Sequence, residues 1–426
     1  MYPNLYYFFK DAFNVEISFL RFINSFGFFV AIAFLVGAGL LANELRRKSK
    51  QGLFQPTEMK HVVGKPASTM DLLRNFALGF LLGYKIIALF FLSSEHTNDP
   101  QAYIFSTMGN WPTGIITGLL FAFLKWWEKR KHQLEKPEER TVRIWPQDRV
   151  GEITIIALVF GLAGAKLFDI FENWDSFLLN PGAYIFSGGG LTFYGGLICA
   201  TTAIIVYAKK HKIGVRHLAD AIAPSLMIAY AIGRIGCHVA GDGDWGIYNT
   251  AYKVDSANHI VLAGPTDFQN TIVTYPKYFQ DEPNLDTANF QKPGALAFLP
   301  NWFFAYNYPN NVNQVGVPIP GCKDNNYCNQ LPVPVFPTPL YEILACTILF
   351  FILWGLRDRL RPVGVLFCLY LILNGLERFF IEKIRVNNRM DLFGLQPTQA
   401  EVISFGLILA GIVLWIFLRQ KYQAKA

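Results

Sequence analysis

The chain has 426 residues, of which 52% are hydrophobic and only 16% are charged. Soluble domains carry roughly 25% charged residues, so this composition argues against an ordinary water-soluble enzyme, and the apolar content excludes intrinsic disorder. The formal net charge of +7 would suit a nucleic-acid partner, but the basic residues follow the pattern of a membrane protein, so no nucleic acid is expected.

Nine stretches of the chain are long and apolar enough to cross a membrane as helices, which takes about 20 residues each. They lie at 18–43, 72–93, 111–127, 150–171, 191–208, 218–237, 338–356, 362–382 and 399–418. The predicted fold class is therefore an all-α polytopic membrane protein with about nine transmembrane helices.

Basic residues alternate between the loops. The loops after the first, third, fifth and seventh stretches and the C-terminal tail are rich in Lys and Arg, whereas loops 94–109 and 172–189 contain neither. Cytoplasmic loops carry the excess of basic residues. The N-terminus is therefore expected outside and the C-terminus inside, on the cytoplasmic side of the membrane.

This topology divides the chain into four predicted segments. They are an extracytoplasmic N-terminus (1–17), six spans (18–237), a small extracytoplasmic head or loop (238–337), and three spans with a cytoplasmic tail (338–426). The head contains β-like pieces such as residues 271–275. Cys322 and Cys328 lie in it on the oxidising side, as a disulfide or as two free thiols.

A weak internal repeat links the second and fourth spans, where Gly83 and Lys85 are echoed by Gly164 and Lys166. A duplicated helical hairpin would explain the repeat, and so would chance similarity among apolar helices.

Charged residues inside predicted spans are informative, because each costs about 2.5–3.5 kcal/mol near the bilayer centre. Those of interest are Lys85, Lys166, Asp169, Arg234, Glu342, Glu377, Arg378 and Glu382. Arg234 lies in residues 233–246, which contain five Gly. Glycine allows close backbone approach, and a guanidinium grips phosphate oxygens with two parallel hydrogen bonds. This segment therefore predicts a site for a lipid phosphate.

Three further clusters accompany it. A glycine-rich turn at 187–197 opens the fifth span, where small residues also serve helix packing. Arg378 and Glu382 share a helix face, so Glu382 either orients Arg378 toward a ligand or forms a simple ion pair with it. Glu342, at the entry to the seventh span, is either a helix N-terminal charge or a partner of Arg234 or Arg378.

The four clusters, in this order, resemble the bacterial prolipoprotein diacylglyceryl transferase family. The family signature Gly-Arg-x-Gly-Asn-Phe-x-Asn-Gly-Glu, closing with Gly, is similar to a segment containing Gly233, Arg234, Gly236, Cys237, His238, Gly241, Asp242, Asp244 and Gly246. The family's His-Gly-Gly-Leu motif is similar to the segment with Tyr194, Gly195 and Gly196. Its Pro-Ser-Gln-Leu-Tyr-Glu motif is similar to the segment that ends in Tyr341 and Glu342. Its Tyr-Gly-x-x-Arg motif, followed by Glu and Arg, is similar to the segment with Asn374, Gly375, Arg378, Glu382 and Arg385. The hairpin at 72–127 is additional to the family's usual seven spans.

The resemblance implies transfer of the diacylglyceryl group of phosphatidylglycerol to the lipobox cysteine thiol in a prolipoprotein signal peptide, with release of glycerol phosphate. Arg234 would hold the lipid phosphate, and Arg378, oriented by Glu382, would stabilise the leaving group. Substrate would bind in a cavity open sideways to the lipids of the bacterial inner membrane, with Tyr194 and His238 as further catalytic residues. The substrate-binding residues would be Gly195, Gly196, Gly233, Gly236, Cys237, Gly241, Asp242, Asp244, Gly246, Tyr341 and Glu342. No metal or organic cofactor is implied.

The chain departs from the family where the family His is replaced by Tyr194, since tyrosine, with an ordinary pKa of about 10, is a poor base near neutral pH. Either His238, oriented by Asp242 or Asp244, has taken over activation of the thiol, or Tyr194 supplies only a hydrogen bond. Alternatively, the protein transfers a lipid group to another acceptor, or binds or transports lipid without chemistry, since intramembrane charges and glycine-broken helices also mark transport sites.

Overall fold

The computed structural model describes residues 1–87, 108–186, 190, 192–280, 285–322, 326–387, 389–391 and 394–423. It is mostly helical and divides into two compact units, one formed by Met1–Leu41 with Arg216–Ala426 and the other by Ala42–Val215. The helices are α1 (Leu5–Phe13), α2 (Ser25–Lys50), α3 (Thr69–Leu81), α4 (Trp111–Lys131), α5 (Val150–Glu172), α6 (Trp174–Leu179), α7 (Pro181–Phe186), α8 (Phe193–Lys210), α9 (Val215–Ala240), α10 (Asp267–Thr274), α11 (Pro276–Gln280), α12 (Thr338–Leu356), α13 (Val365–Glu382) and α14 (Gln399–Gln423).

The strands are short and form four two-stranded sheets. They are β1 (Thr57–Val63), β2 (Glu138–Ile144), β3 (Tyr248–Asn249), β4 (Tyr252–Val254), β5 (Ile260–Leu262), β6 (Thr287–Ala288), β7 (Val317–Pro318) and β8 (Asn329–Gln330). The pairs β1–β2, β4–β5 and β7–β8 are antiparallel, and β3–β6 is parallel.

Each of the nine predicted spans contains a helix within the described residues, and five helices are long and apolar enough to cross a membrane: Ser25–Lys50, Pro146–Glu172, Val215–Ala240, Thr338–Leu356 and Gln399–Gln423. A helical membrane protein is thereby confirmed. The predicted start of the first span at residue 18 is wrong. Residues 18–22 form a 3-10 turn, and the Asn24 side chain accepts from the backbone N–H of Phe26 at 2.8 Å and starts α2 there.

Parts of two predictions lie outside the described residues. These parts are residues 88–93 of the second span with most of loop 94–109, and Ser187, Gly188, Gly189 and Leu191 of the glycine-rich turn.

In the unit Ala42–Val215, two helix pairs pack in the same way. A Cβ atom added at Gly83, two residues after the end of α3, would lie 2.4 Å from the Thr113 carbonyl oxygen of α4. A Cβ atom added at Gly164 of α5 would lie 2.6 Å from the Gly195 carbonyl oxygen of α8. Small residues thus permit close helix contact in both pairs.

The lysines of the repeat also correspond. Lys85 donates to the carbonyl of Met108 and Lys166 to that of Gly190, each three residues before the next long helix begins. This shared contact favours duplication of a hairpin over chance similarity. Strand β1 precedes α3 and strand β2 follows α4 in the chain, and the two strands pair with each other. The chain therefore enters and leaves the α3–α4 helix pair at one place.

In the other unit, α9, α12 and α13 enclose a core that contains Ala223, Met227, Cys346, Leu353 and Leu366. Asp220 of α9 accepts hydrogen bonds from the backbone N–H groups of Gly364 at 2.7 Å and Phe367 at 3.1 Å. A side chain of α9 thereby caps the start of α13.

Residues 241–337 of the same unit combine short strands and helices around a core that includes Tyr248, Phe279, Tyr308 and Leu331. Cys322 and Cys328 form a disulfide, which decides between the two alternatives. The β-like assignment of residues 271–275 is wrong. Residues 271–274 belong to α10. Backbone i to i−4 hydrogen bonds, such as that from the Tyr275 N–H to the Thr271 carbonyl at 3.0 Å, replace the partner strand that a β-strand would need.

Candidate active site

Arg234 lies near the C-terminal end of α9, one helical turn after Tyr230. Its guanidinium forms an ion pair with Asp244, and its Nε lies 3.0 Å from Glu342 Oε2. It also donates to the Tyr230 hydroxyl at 3.1 Å. Arg234 therefore connects the glycine-rich loop at 241–246, which carries Asp244, to the first turns of α12.

Glu342 is the shared partner of the cluster, and its side chain is completely buried. Its Oε1 accepts from the Tyr230 hydroxyl at 2.8 Å and from Arg378 Nη1 at 3.2 Å, and it lies 4.0 Å from Arg385 Nη1. The sequence left Glu342 as either a helix N-terminal charge or a partner of Arg234 or Arg378. In the structure Glu342 forms ion pairs with both arginines.

Two further carboxylates complete the set. Glu382 Oε2 lies 3.0 Å from Arg378 Nη2, and Asn387 donates to Glu382 Oε1 at 2.6 Å. Asp244 Oδ1 accepts from Arg385 Nη2 at 2.7 Å. The arginine cluster, defined as Arg234, Arg378 and Arg385 with Asp244, Glu342 and Glu382, thus has three charges of each sign.

Several guanidinium N–H groups in this cluster are buried without a hydrogen-bond partner. Within the described part of the chain, these are Nε of Arg234 and both Nε and Nη1 of Arg385. Buried donors are normally satisfied, and a phosphate offers oxygens that match the guanidinium fork. The cluster therefore holds donors suited to an anionic ligand.

The glycines of the loop bring its backbone against α12 and the end of α13. A Cβ at Gly246 would lie 2.4 Å from the Ile384 carbonyl oxygen, and the Gly246 N–H donates to the Phe336 carbonyl at 2.8 Å. Gly241 and Gly243 have φ values of +65° and +97°, which suit glycine. A Cβ at Gly236 would lie 3.2 Å from the Phe26 Cα of α2, whereas nothing lies within 4 Å of one at Gly233.

The pKa values of the two acids in this loop, Asp242 and Asp244, are shifted in opposite directions. Burial raises the pKa of Asp244, but Arg385 and Arg234 outweigh it and lower the pKa to about 2. Burial, followed by the neighbouring charge of Asp244, raises the pKa of Asp242. Cys237, Asp242 and Asp244 offer possible metal-ligating atoms within 4.8 Å of one another, but Asp244 is already held by two arginines, which disfavours a cation there.

His238 contacts aromatic residues of the 241–337 segment. Its Nδ1 lies 3.4 Å from the Tyr308 hydroxyl, and its ring packs against Tyr306. Among the described residues, Asp242 and Asp244 make no hydrogen bond to it, so the prediction that one of them orients His238 is wrong. The reason is that Asp244 is bound by Arg234 and Arg385 instead.

The remaining predicted residues make contacts of other kinds. The Tyr341 hydroxyl donates to the Phe303 carbonyl at 2.7 Å and so supports the 241–337 segment. Tyr194, Gly195 and Gly196 belong to the unit Ala42–Val215. There the two glycines pack on α5, with a Cβ at Gly196 placed 2.7 Å from the Gly161 carbonyl oxygen, and the Tyr194 ring contacts Phe193.

Two residues near Glu342 were absent from the predicted site residues: Tyr230, which donates a hydrogen bond to it, and Arg385, whose Nη1 lies 4.0 Å from it. Tyr230 lies four residues before Arg234, so the i, i+4 rule could have indicated it. Arg385 was part of the last motif, and its position three residues after Glu382 was the available signal.

Comparisons with known proteins agree with this geometry. Residues 111–417 match the family model described as prolipoprotein diacylglyceryl transferase. The chain is similar to proteins named phosphatidylglycerol–prolipoprotein diacylglyceryl transferase. One from Dehalococcoides mccartyi is 27% identical over 66% of this chain and 80% of the relative. One from Staphylococcus xylosus is 27% identical over 66% and 78%, and one from Vibrio cholerae is 24% identical over 73% and 89%.

Proposed function

Since the chain belongs to the prolipoprotein diacylglyceryl transferase family, we propose that it transfers the diacylglyceryl group of phosphatidylglycerol to the lipobox cysteine of a prolipoprotein signal peptide. Glycerol phosphate is the second product. The observation that carries this proposal is the convergence of three arginines on one site, two of which, Arg234 and Arg385, have buried N–H groups that make no hydrogen bond within the described residues.

The chemistry requires cations at the leaving group. The cysteine sulfur attacks the glycerol carbon of the lipid, an S–C bond forms, and the C–O bond to phosphate breaks with its electron pair remaining on the phosphate oxygen. Negative charge therefore grows on the phosphate, and fixed donors aimed at developing charge are a major source of catalysis. Arg234 holds the lipid phosphate, and Arg378, positioned by Glu342 and Glu382, stabilises the departing glycerol phosphate.

The substrate thiol must lose its proton, because the thiolate is the nucleophile and an ordinary thiol has a pKa of about 8.5. Two side chains are candidates for assisting this step. His238 is one, hydrogen-bonded to Tyr308, and Tyr194, at the family's His position, is the other. A pH–rate profile separates them, since a titrating group that is present in the native profile and disappears in His238→Gln assigns the role to His238.

The membrane arrangement is part of the proposal. The nine helices cross the bacterial inner membrane, the N-terminus and residues 238–337 lie outside, and the C-terminus lies inside. The alternation of basic loops supports this orientation. The site is open sideways to the bilayer, because donor and product both remain in the membrane.

The decisive experiment uses purified protein, phosphatidylglycerol and a lipobox peptide, with glycerol phosphate release and peptide mass as readouts. Arg234→Ala should abolish the mass gain of one diacylglyceryl group. The matched control is Arg359→Ala. Arg359 is an exposed arginine three residues after the C-terminal end of α12, whereas Glu342, the partner of Arg234, lies near the N-terminal end of that helix.

Normal transfer by Arg234→Ala would contradict the assignment of the phosphate to Arg234. Lipid binding without any release of glycerol phosphate would instead support a different acceptor, or a lipid-binding or transport protein.

A further inference from the structure

Glu377 is a buried carboxyl group of α13 that the proposed reaction does not use. Its residue is 7% exposed, and within the described part of the chain neither of its oxygens has a hydrogen-bond partner. Its sequence neighbour Arg378 pairs instead with Glu342 and Glu382. Glu377 is therefore distinct from the carboxylates of the arginine cluster.

The arginine cluster is already balanced without Glu377, with three cations and three anions in contact. An additional ionised carboxylate buried without a partner would be strongly unfavourable. A carboxylic acid kept neutral in an apolar site can donate a hydrogen bond through its O–H. Glu377 consequently acts as a donor that has no acceptor in the free protein.

Glu377 interacts both with residues of the arginine cluster and with residues nearer the middle of α12 and α13. The titratable groups with which it interacts electrostatically are Glu342, Arg378, Arg234, Arg385, Cys346, Tyr370 and Tyr230. Cys346 lies one turn beyond Glu342 along α12, and Tyr370 lies nearly two turns back along α13. Helical side chains also tilt toward the helix N-terminus, which for α13 is the end away from the cluster.

A phospholipid presents its groups in a fixed order. Its ester-linked glycerol lies between the phosphate and the acyl chains. A lipid whose phosphate is held by Arg234 and Arg378 therefore brings its ester carbonyl oxygens to the depth of Glu377. These oxygens are hydrogen-bond acceptors, which is what a neutral carboxylic acid requires.

We propose that Glu377 donates a hydrogen bond to an ester carbonyl of the bound diacylglyceryl group, so that the protein selects ester-linked over ether-linked phosphatidylglycerol. This inference rests on the proposed function, in that Arg234 and Arg378 bind the lipid phosphate. It adds a residue that recognises the transferred group rather than the leaving group.

The test is competition binding to the full-length protein in nanodiscs, with dipalmitoyl phosphatidylglycerol and its di-O-hexadecyl ether analogue displacing a fluorescent phosphatidylglycerol. Loss of one buried hydrogen bond corresponds to about a tenfold change in affinity, so the native protein should favour the ester lipid by about that factor. Glu377→Gln retains an N–H donor and should keep the preference. Glu377→Leu retains none and should bind both lipids equally.

The control is Asp220→Asn, a change at a buried carboxylate of the same unit that already accepts two backbone hydrogen bonds. It should leave the preference intact even if stability falls. Equal binding of the two lipids by the native protein would overturn the proposal, as would an unchanged preference in Glu377→Leu.

A parallel transfer assay with the ester lipid and a lipobox peptide separates the two hypotheses. A selective binder that transfers nothing would contradict the proposed function and leave the role of Glu377 supported.

Discussion

Glu342 Oε2 lies 3.0 Å from Arg234 Nε, and this contact joins α9 to α12 through a completely buried carboxylate. The same side chain accepts hydrogen bonds from Tyr230 and Arg378. One glutamate therefore sets the spacing of the two arginines to which binding and leaving-group stabilisation are assigned. Arg378 is held by this shared counter-ion together with Glu382.

Glu342→Gln should therefore destabilise the protein and abolish transfer. Removing one partner of a buried ion pair leaves uncompensated charge and typically costs about 3–5 kcal/mol. Thermal unfolding in detergent measures the first effect and glycerol phosphate release the second. Glu138→Gln is the control, because the side chains of Glu138 and Arg140 are 58% and 59% exposed in their ion pair and such pairs contribute at most about 1 kcal/mol. Equal stability of the two variants would show that Glu342 is not the central counter-ion.

Gly246→Ala should impair both stability and transfer, whereas Gly233→Ala should impair neither appreciably. A Cβ at Gly246 would lie 2.4 Å from a backbone oxygen, and one at Gly233 has nothing within 4 Å. Overpacking of this kind costs about 1–3 kcal/mol and would shift the loop that carries Asp244. Unfolding midpoints and initial transfer rates of the two variants provide the comparison. A larger loss in Gly233→Ala would contradict the close approach seen at Gly246.

Asp244 should contribute stability that depends on pH. Its pKa in the folded protein is about 2, against an ordinary value of 3.8, because Arg385 and Arg234 favour the ionised form over the opposing effect of burial. A depressed pKa gives stability that is present above about pH 4 and is lost as the pH falls toward about 2. Asp244→Asn should therefore be less stable than the native protein at pH 5 and nearly equal to it near pH 2.

The paired variant Asp242→Asn should behave in the opposite sense. Burial raises the pKa of Asp242, so its ionised form opposes folding above that pKa, and removing the charge should not lower stability at pH 5. Unfolding midpoints of both variants across this pH range test the pair. A loss of stability at pH 5 that is the same for both would show that the two acids are not distinguished by the arginines.

The disulfide between Cys322 and Cys328 offers a test of membrane orientation. After mild reduction of intact spheroplasts, a membrane-impermeant maleimide should label these two thiols. A Lys210→Cys variant, changed at the exposed end of α8, should be labelled only after permeabilisation, because its loop is basic and predicted to be cytoplasmic. The reverse pattern would invert the proposed topology.

Local sequence information was sufficient for several features. Helical segments were predictable because about 20 apolar residues have few alternatives to a membrane helix. Within the described residues, each of the nine stretches contains a helix, and five helices are long and apolar enough to cross a membrane. Family membership followed from four short motifs in order, of which Arg234, Glu342 and Arg378 meet in space. Residues 271–275 were assigned wrongly because short segments without a strong period depend on their neighbours.

The composition and charge pattern of the sequence by themselves determined that this is a helical membrane protein, and its motifs determined the family. The tertiary structure alone decided that Glu342 serves both Arg234 and Arg378, that Tyr230 and Arg385 join them, and that Glu377 has no hydrogen-bond partner among the described residues. The physical reason is that insertion into a membrane depends on the apolar content of each local segment, whereas a buried charge depends on which distant helix supplies its counter-ion.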